Sequence, residues 1–397
     1  MLHIFNKVSS KMATISIAFD GGARSEGDTF TLGLAHMMEH MCFKGTLKRS
    51  WKDINRQIAF IGGQTNAFTS QEMVCYYIYV PYENLAEAME IISDQVFCST
   101  IPEEEFLKEW EVVKQEEIGR SDSPTHELFT TLTRNMMPGR LGEPVIGTKE
   151  SIDAFTHKEL QTFYKQVYRR SGAVVSLAAN CDKDIGAALL DKYFGEQDGF
   201  SLSAPTYEPE EIMNDTIIVR KPNLEHAYAC VCMHGLDMYD PRENGLEIIS
   251  SVLGGGMDSR LFEEVRENRG LAYSIGSSVS SHREIGHFLV TFQTEVQNIE
   301  EVITVVEDEI AKMAEHGITE EELQRTKNKI RSHVYSLQDS TMGVAQDGLK
   351  RAMFGLKSLE EDMEELAKIT VDDISELSHS MLSDVKKMIV ISKNENG

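Results

Sequence analysis

Apolar and polar residues alternate along Thr14-Ile-Ser-Ile-Ala-Phe19, the two-residue period of a strand with one buried face. A polar loop follows, then a helix opening at Gly33-Leu34. The same succession returns at Ala227-Tyr-Ala-Cys-Val-Cys-Met233, with a helix near Gly245-Leu246, at an offset of 212 positions. Farther on, Phe155 to Leu160 leads through a helix into the strand Ala173 to Ala179, and Ile369 to Ile374 leads likewise into Lys387 to Ser392, at an offset of 214. Nearly equal offsets at distant points predict two copies of one domain. Strands and helices alternate in each half, which favours an α/β class of domain. The expected boundaries are 1–200 and 215–397, joined by a linker over 201–214. That linker lies in the polar seam from Gln197 to Asn214, which holds Pro205 and Pro209.

Composition narrows the class. The chain has 397 residues, 41% of them hydrophobic, enough for two globular domains. No stretch approaches the roughly 18 uncharged apolar residues that would span a bilayer, and the N-terminal MLHIFNKVSSKMATIS has no apolar signal core, so a cytoplasmic location without membrane partners is expected. The net charge of −25, with no strong basic patch, argues against nucleic acid as a partner and suits cationic peptides. The six cysteines lack zinc-knuckle or redox-pair spacing and read as reduced, mostly buried thiols, with Cys230 and Cys232 sharing one face of a strand. Metal chemistry is therefore sought at histidine and carboxylate.

His36-Met37-Met38-Glu39-His40 offers such a place. Histidines four apart on a helix share a face, with a carboxylate three residues after the first. This is the reverse of the His-Glu-x-x-His order, the pattern of inverzincins, and it points to metal-assisted hydrolysis. The repeat supplies a control: shifted by 212, these positions become Ile248, Ser251 and Val252, an apolar helix with no possible ligand. A purely architectural need for the histidines would have left some in the copy.

Catalytic zinc usually takes three protein ligands. Thr100-Ile-Pro-Glu103 reads as a capping-box start of a long helix that ends before Asp122-Ser-Pro124. Glu109 and Glu116, seven apart, share one face of it, and Glu117 points about 100° away. Either Glu116 or Glu117 can be the third ligand; the common face with Glu109 and the Val112-Val113 pair favour Glu116. The run Gly254-Gly255-Gly256 lacks the Gly-Lys-Ser/Thr ending of a phosphate loop, which argues against ATP or NAD.

His36-x-x-Glu39-His40 followed by Glu116 in Glu109-x-x-Val112-Val113-x-x-Glu116 resembles the signature of the M16 metallopeptidases, the family of pitrilysin, insulin-degrading enzyme and the mitochondrial processing peptidase. Further blocks fit: Gly62-Gly-Gln-Thr-Asn66-Ala67-Phe68-Thr69 with Glu72 and Tyr76, Leu141 to Gly147, and Gly254 to Phe262. The size resembles the short M16B branch. The resemblance implies an α+β fold (an α/β sandwich): two homologous domains, each a mainly antiparallel sheet packed with helices, of the M16/LuxS-like metallohydrolase type. Only the first would bind metal.

The resemblance also implies roles. One Zn2+ per chain would be held by His36, His40 and Glu116, with manganese or cobalt as alternatives. Glu39 would be the general base and Glu109 would orient the site. The edge strand at Asn66, Ala67 and Phe68 would receive the substrate as an added strand. Of Arg266 and Tyr273, seven apart in the second half, the first would hold a substrate carbonyl or carboxylate and the second the oxyanion. The glycine run would be a flexible turn. The implied activity is zinc-dependent endopeptidase action on unfolded peptides or presequences in a chamber formed by a homodimer, or by a heterodimer with a homologous subunit. The alternative is a peptide-binding or assembly subunit without turnover.

Overall fold

Two five-stranded sheets organise the described residues, which in this computed structural model are 1–195, 200–209, 214–221, 224–383 and 386–394. The first sheet holds β1 (Leu2–Lys7), β2 (Met12–Asp20), β3 (Gln64–Thr69), β4 (Met73–Pro81) and β5 (Ala173–Ala179) in the order β1-β5-β2-β4-β3. The second holds β6 (Asp215–Lys221), β7 (Ala227–Gly235), β8 (Ala272–Ser281), β9 (Gly286–Thr294) and β10 (Met388–Asn394) in the order β6-β10-β7-β9-β8. Each sheet has one parallel pair, β1 with β5 and β6 with β10, and is otherwise antiparallel. The repeat read from the two hydrophobic patterns is thus a repeat of topology. Alternation of strands and helices does not produce a parallel sheet here, because β3 and β4 pair directly as antiparallel neighbours.

The first half supplies helices α1 (Leu34–Met41), α2 (Trp51–Phe60), α3 (Leu85–Phe97), α4 (Glu103–Ser121), α5 (His126–Met136), α6 (Lys149–Asp153), α7 (His157–Val167) and α8 (Lys183–Phe194). The second supplies α9 (Glu243–Gly254), α10 (Ile299–His316), α11 (Glu320–Gln338), α12 (Thr341–Phe354), α13 (Leu359–Lys368) and α14 (Val371–Leu382). The chain divides into two compact units, and each takes a helical segment from the other half of the sequence. Unit 1 is 1–119, 143–205 and 334–358; unit 2 is 120–142, 206–333 and 359–397. Of the expected linker, residues 210–213 lie outside the described residues, as do 197–199 of the seam.

In unit 1, Ile15, Ile17 and Phe19 of β2 and Val175 and Leu177 of β5 face the main core with α1, α3, α7 and α8. Their neighbours point to the opposite face, where α12 lies across β1, β2 and β5. That face is polar or small: Thr14, Ser16 and Ser176 are fully buried, and the Thr14 and Thr341 hydroxyls lie 2.9 Å apart. In unit 2, α5 occupies the matching place on β7 and β10, but over an apolar surface of Leu128, Leu132, Met136, Cys230, Cys232 and Val390. All six cysteines are free thiols, and Cys230 and Cys232 do share this face.

Two local expectations are corrected. Thr100 does not cap α4: its hydroxyl donates to the Gly45 carbonyl at 3.3 Å, and the helix opens at Glu103, with the Pro102 carbonyl taking the Phe106 N–H. Between them Ile101 adopts a left-handed φ of 46°, and its carbonyl accepts from His157 Nε2 at 2.6 Å. The loop after Gly254 is not a free turn either. Asp258 pairs with Arg325 and Lys329 of α11, and Arg260 grips Glu322 with two nitrogens.

Candidate metal centre

The helix α1 begins at Gly33, whose φ of 91° is left-handed; a Cβ there would meet the Ile146 carbonyl at 2.3 Å. The Leu141 to Gly147 block therefore earns its place by lying against the start of this helix. The buried Glu26 carboxylate accepts the N–H groups of Gly33 at 3.0 Å and Ala35 at 2.9 Å, satisfying donors that a helix start leaves open. Leu34, Met37, Met38 and Met41 are buried, which turns His36, Glu39 and His40 to the rim of the core.

Across from them, α4 buries Phe106, Glu109 and Val113 and presents Glu116 on the same face. Glu116 Oε2 lies 3.9 Å from His36 Nε2 and 3.6 Å from His40 Nε2, and the three potential ligand atoms all fall within 4.8 Å of one another. A tetrahedral zinc site spaces its nitrogen and oxygen donors about 3.4 Å apart, so a small contraction makes these residues fit a zinc ion. Of the two glutamates left open, Glu116 is the one that converges; Glu117 is not in the cluster. Glu116 is 43% exposed, leaving the ligand set open to solvent on its side.

His40, Glu109 and Glu39 are steadied by neighbours. His40 Nδ1 lies 3.1 Å from Glu109 Oε2, so with Nδ1–H donating to Glu109 the Nε2 lone pair is left for a metal. Glu109 Oε1 in turn lies 2.6 Å from Lys44 Nζ. Thr69, the last residue of β3, donates its hydroxyl to Glu39 Oε2 at 2.5 Å. Burial raises the Glu39 carboxyl above its ordinary range against that hydrogen bond. Burial would do the same to Glu109, but the hydrogen bonds from His40 and Lys44 outweigh it and hold the carboxyl low. For His40, burial is overcome by the Glu109 hydrogen bond and the charges of Glu116 and Glu39, and the pKa is raised from its ordinary value. Burial pushes the Cys42 and Cys75 thiols behind the site up to about 12, which leaves them inert as nucleophiles.

Asn66, Ala67 and Phe68 pair with Tyr77, Tyr76 and Cys75 of β4 on one side only, because β3 is the edge of its sheet. The Ala67 N–H is taken by Asn66 Oδ1 at 2.9 Å. Arg266 and Tyr273 belong to unit 2. Arg266 sits in a π-helical turn, Phe262–Asn268, its guanidinium 4.8 Å from the Phe262 ring centroid and 5.9 Å from that of Tyr273. Tyr273 is the extra residue of a β-bulge between Ala272 and Ser274 and is 74% exposed. Sequence reasoning did not single out Lys44 or Glu26, and saw Thr69 only inside a motif. The position of Lys44, four after His40, is the one local signal for it.

Among the described residues His36, His40 and Glu116 form the one three-residue cluster able to hold a metal; the matching helix α9 buries Ile248 and Val252 instead. No helix of the described residues is long and apolar enough to cross a membrane.

Comparison with known proteins identifies the family. Residues 4–149 match the family model for insulinase (peptidase family M16), and residues 154–330 match that for the peptidase M16 inactive domain. The uncharacterized zinc protease YmxG of Bacillus subtilis (strain 168) is 30% identical over 98% of this chain and 95% of its own length. An uncharacterized zinc protease of Streptomyces coelicolor is 32% identical over 96% of this chain and 85% of its own. Among solved structures, the peptidase M16 inactive domain from Pseudomonas fluorescens superposes with a TM-score of 0.90 at 19% identity, covering 99% of this chain and 94% of that one. A protease from Helicobacter pylori gives 0.89 at 21%, covering 98% and 96%. The chain belongs to peptidase family M16.

Proposed function

We propose that this chain is a zinc-dependent endopeptidase acting on extended, unfolded peptides. The reading is carried by one observation: His36, His40 and Glu116 converge to within 4.8 Å, with Glu39 on the same helix beside them. The names of the relatives, zinc proteases, support the metal. A zinc ion bound there would supply a Lewis acid for the scissile carbonyl and lower the pKa of water toward neutrality.

The chain's own residues do the rest. His36 and His40 present Nε2, and Glu109 holds His40 in the required tautomer through Nδ1. Glu39 takes a proton from the attacking water and returns it to the leaving amine, and Thr69 aims its carboxylate. The free edge of β3 takes the peptide as an added strand through backbone hydrogen bonds, which selects extended shape. Arg266 would hold a substrate carbonyl and Tyr273 the oxyanion. A dimer of such chains, homologous or identical, would enclose the reaction in the cytoplasm.

Metal analysis of the purified chain, followed by cleavage of a quenched peptide library with and without a chelator, tests the proposal. Stoichiometric zinc with chelator-sensitive cleavage is expected. Glu39→Gln should keep the zinc and lose at least about a hundredfold in rate. Zinc without cleavage, alone or with a homologous partner chain, would instead favour a peptide-binding or assembly subunit.

A further inference from the structure

Arg24 is the largest fully buried side chain among the described residues, although it stands in a single 3-10 turn, Gly22–Glu26, and the chemistry proposed above leaves it unused. Its guanidinium donates to Glu72 Oε1 at 2.6 Å and to the Pro205 carbonyl at 3.0 Å. One side chain thus ties the turn to the loop between β3 and β4 and to the start of the polar seam. The backbone makes the first tie again: the N–H groups of Gly21, Ala23 and Arg24 donate to the carbonyls of Glu72, Ser70 and Gln71 at 2.6, 2.9 and 3.1 Å. The two loops lie so close that a Cβ at Gly22, whose φ is 45°, would stand 2.1 Å from the Ser70 carbonyl oxygen. Both partners of the Glu39 to Thr69 hydrogen bond hang on this junction. Glu26, two residues after Arg24, holds the start of α1, which carries Glu39. Ser70 follows directly on Thr69, whose hydroxyl reaches Glu39.

We infer that Arg24 is a positioning residue of the proposed reaction, acting through Glu72 to hold the β3–β4 loop where Thr69 meets Glu39. Its effect on rate rests on the peptidase reading, while its effect on geometry does not. A buried ion pair adds little net stability, because the desolvation of two charges offsets their attraction, and apolar residues of similar volume are often as stable in its place. What the pair does supply is direction, since charge-assisted hydrogen bonds are short and the planar guanidinium fixes the angle between its two acceptors. The 2.5 Å contact between Thr69 and Glu39 has little slack. A displacement of about 1 Å in a group that orients a reacting carboxylate is worth on the order of tenfold to a hundredfold in rate.

The experiment is a double-mutant cycle in the full-length, zinc-loaded chain. Arg24→Met combined with Glu72→Met removes both charges at similar volume, and this variant should melt within about 5 °C of the native chain with its zinc content unchanged. Its kcat should fall roughly tenfold while KM for a quenched peptide stays within about twofold. In the Thr69→Val background the same pair of changes should lower kcat by less than about twofold, because the contact it serves is already gone. Equal losses in the two backgrounds would reduce Arg24 to a packing residue. Should the Met pair fail to fold, Glu72→Gln, which keeps the shape and drops the charge, takes its place in the cycle with an expected loss of about threefold. Crystal structures of the native and variant chains read the geometry without turnover, and in the variant the Thr69 hydroxyl should leave hydrogen-bond distance of Glu39. If the native chain cleaves nothing but that separation is seen, the peptidase reading fails and the positioning role stands. If the native chain cleaves and the variant keeps both the contact and the rate, the positioning role is wrong and the peptidase reading stands.

Discussion

Glu109 is shared between His40 and Lys44, its Oε2 lying 3.1 Å from His40 Nδ1 and its Oε1 2.6 Å from Lys44 Nζ. The ammonium keeps the carboxylate ionised and fixed, so that the imidazole behind it is held in one tautomer and one orientation. Partners behind a metal ligand typically matter tenfold to a hundredfold in affinity. Lys44→Met should weaken zinc binding by about tenfold in a chelator competition, while Lys44→Arg restores most of it. An unchanged affinity in Lys44→Met would show that Glu109 needs no second cation.

Thr69 joins the edge strand to the carboxylate that would move the proton. Thr69→Val removes the 2.5 Å hydrogen bond with little change in side-chain volume. The zinc content should hold while kcat falls roughly tenfold, since proton-transfer groups lose much of their effect when misaligned. Thr69→Ser should recover the rate. A fall in zinc content equal to the fall in rate would make Thr69 a packing residue instead.

His287 ties α5 to the second sheet, its Nε2–H donating to the Met136 carbonyl at 3.1 Å. Burial, reinforced by His282 and His234, lowers its pKa from 6.5 to about 4 against the pull of that carbonyl. A histidine with a depressed folded pKa contributes stability that is present above the unfolded value, near 6.5, and is lost as pH falls toward 4. The loss is at most about 3 kcal/mol at the acid end. Hydrogen exchange of peptides from α5 and β9, corrected for intrinsic pH dependence, should speed up between pH 6.5 and 4.5 in the native chain. The His287→Gln variant should show no such window.

The two exchanged helices rest on unequal surfaces. The α5 surface is apolar, with Leu128, Leu132 and Met136 against Cys230, Cys232 and Val390, whereas α12 lies over Thr14, Ser16 and Ser176 and buries Ala345, Leu349, Met353 and Phe354. Hydroxyls under a helix contribute less to docking than aliphatic side chains and thiols do, so α12 should open more readily. Amide exchange in α12 should run at least about tenfold faster than in α5 at neutral pH. Equal protection would mean that the hydrogen-bonded polar face holds a helix as well as an apolar one.

Much of the centre is local, and local features are legible in the chain. His36, Glu39 and His40 lie within two turns of one helix, and the spacing that puts them on one face needs no tertiary knowledge. The pairing of Glu109 with Glu116 follows from the same geometry. The cap at Thr100 failed for a reason outside the segment: the Gly45 carbonyl, more than fifty residues away, claims its hydroxyl. The roles of Lys44, Thr69 and Glu26 escaped notice because they depend on what other segments bring beside them.

By itself the sequence determined the repeat, the strand and helix periods and the residues of the histidine helix, because hydrophobic period and short spacing act within one element. The sequence favoured Glu116 over Glu117, but only tertiary structure brings it to the histidines, because the rotation of α4 about its axis is set by burying Phe106 and Val113. Tertiary structure also decided which sheet receives α5 and which α12. An apolar or small-residue stripe says that a helix must be covered, but carries no address for the surface that covers it.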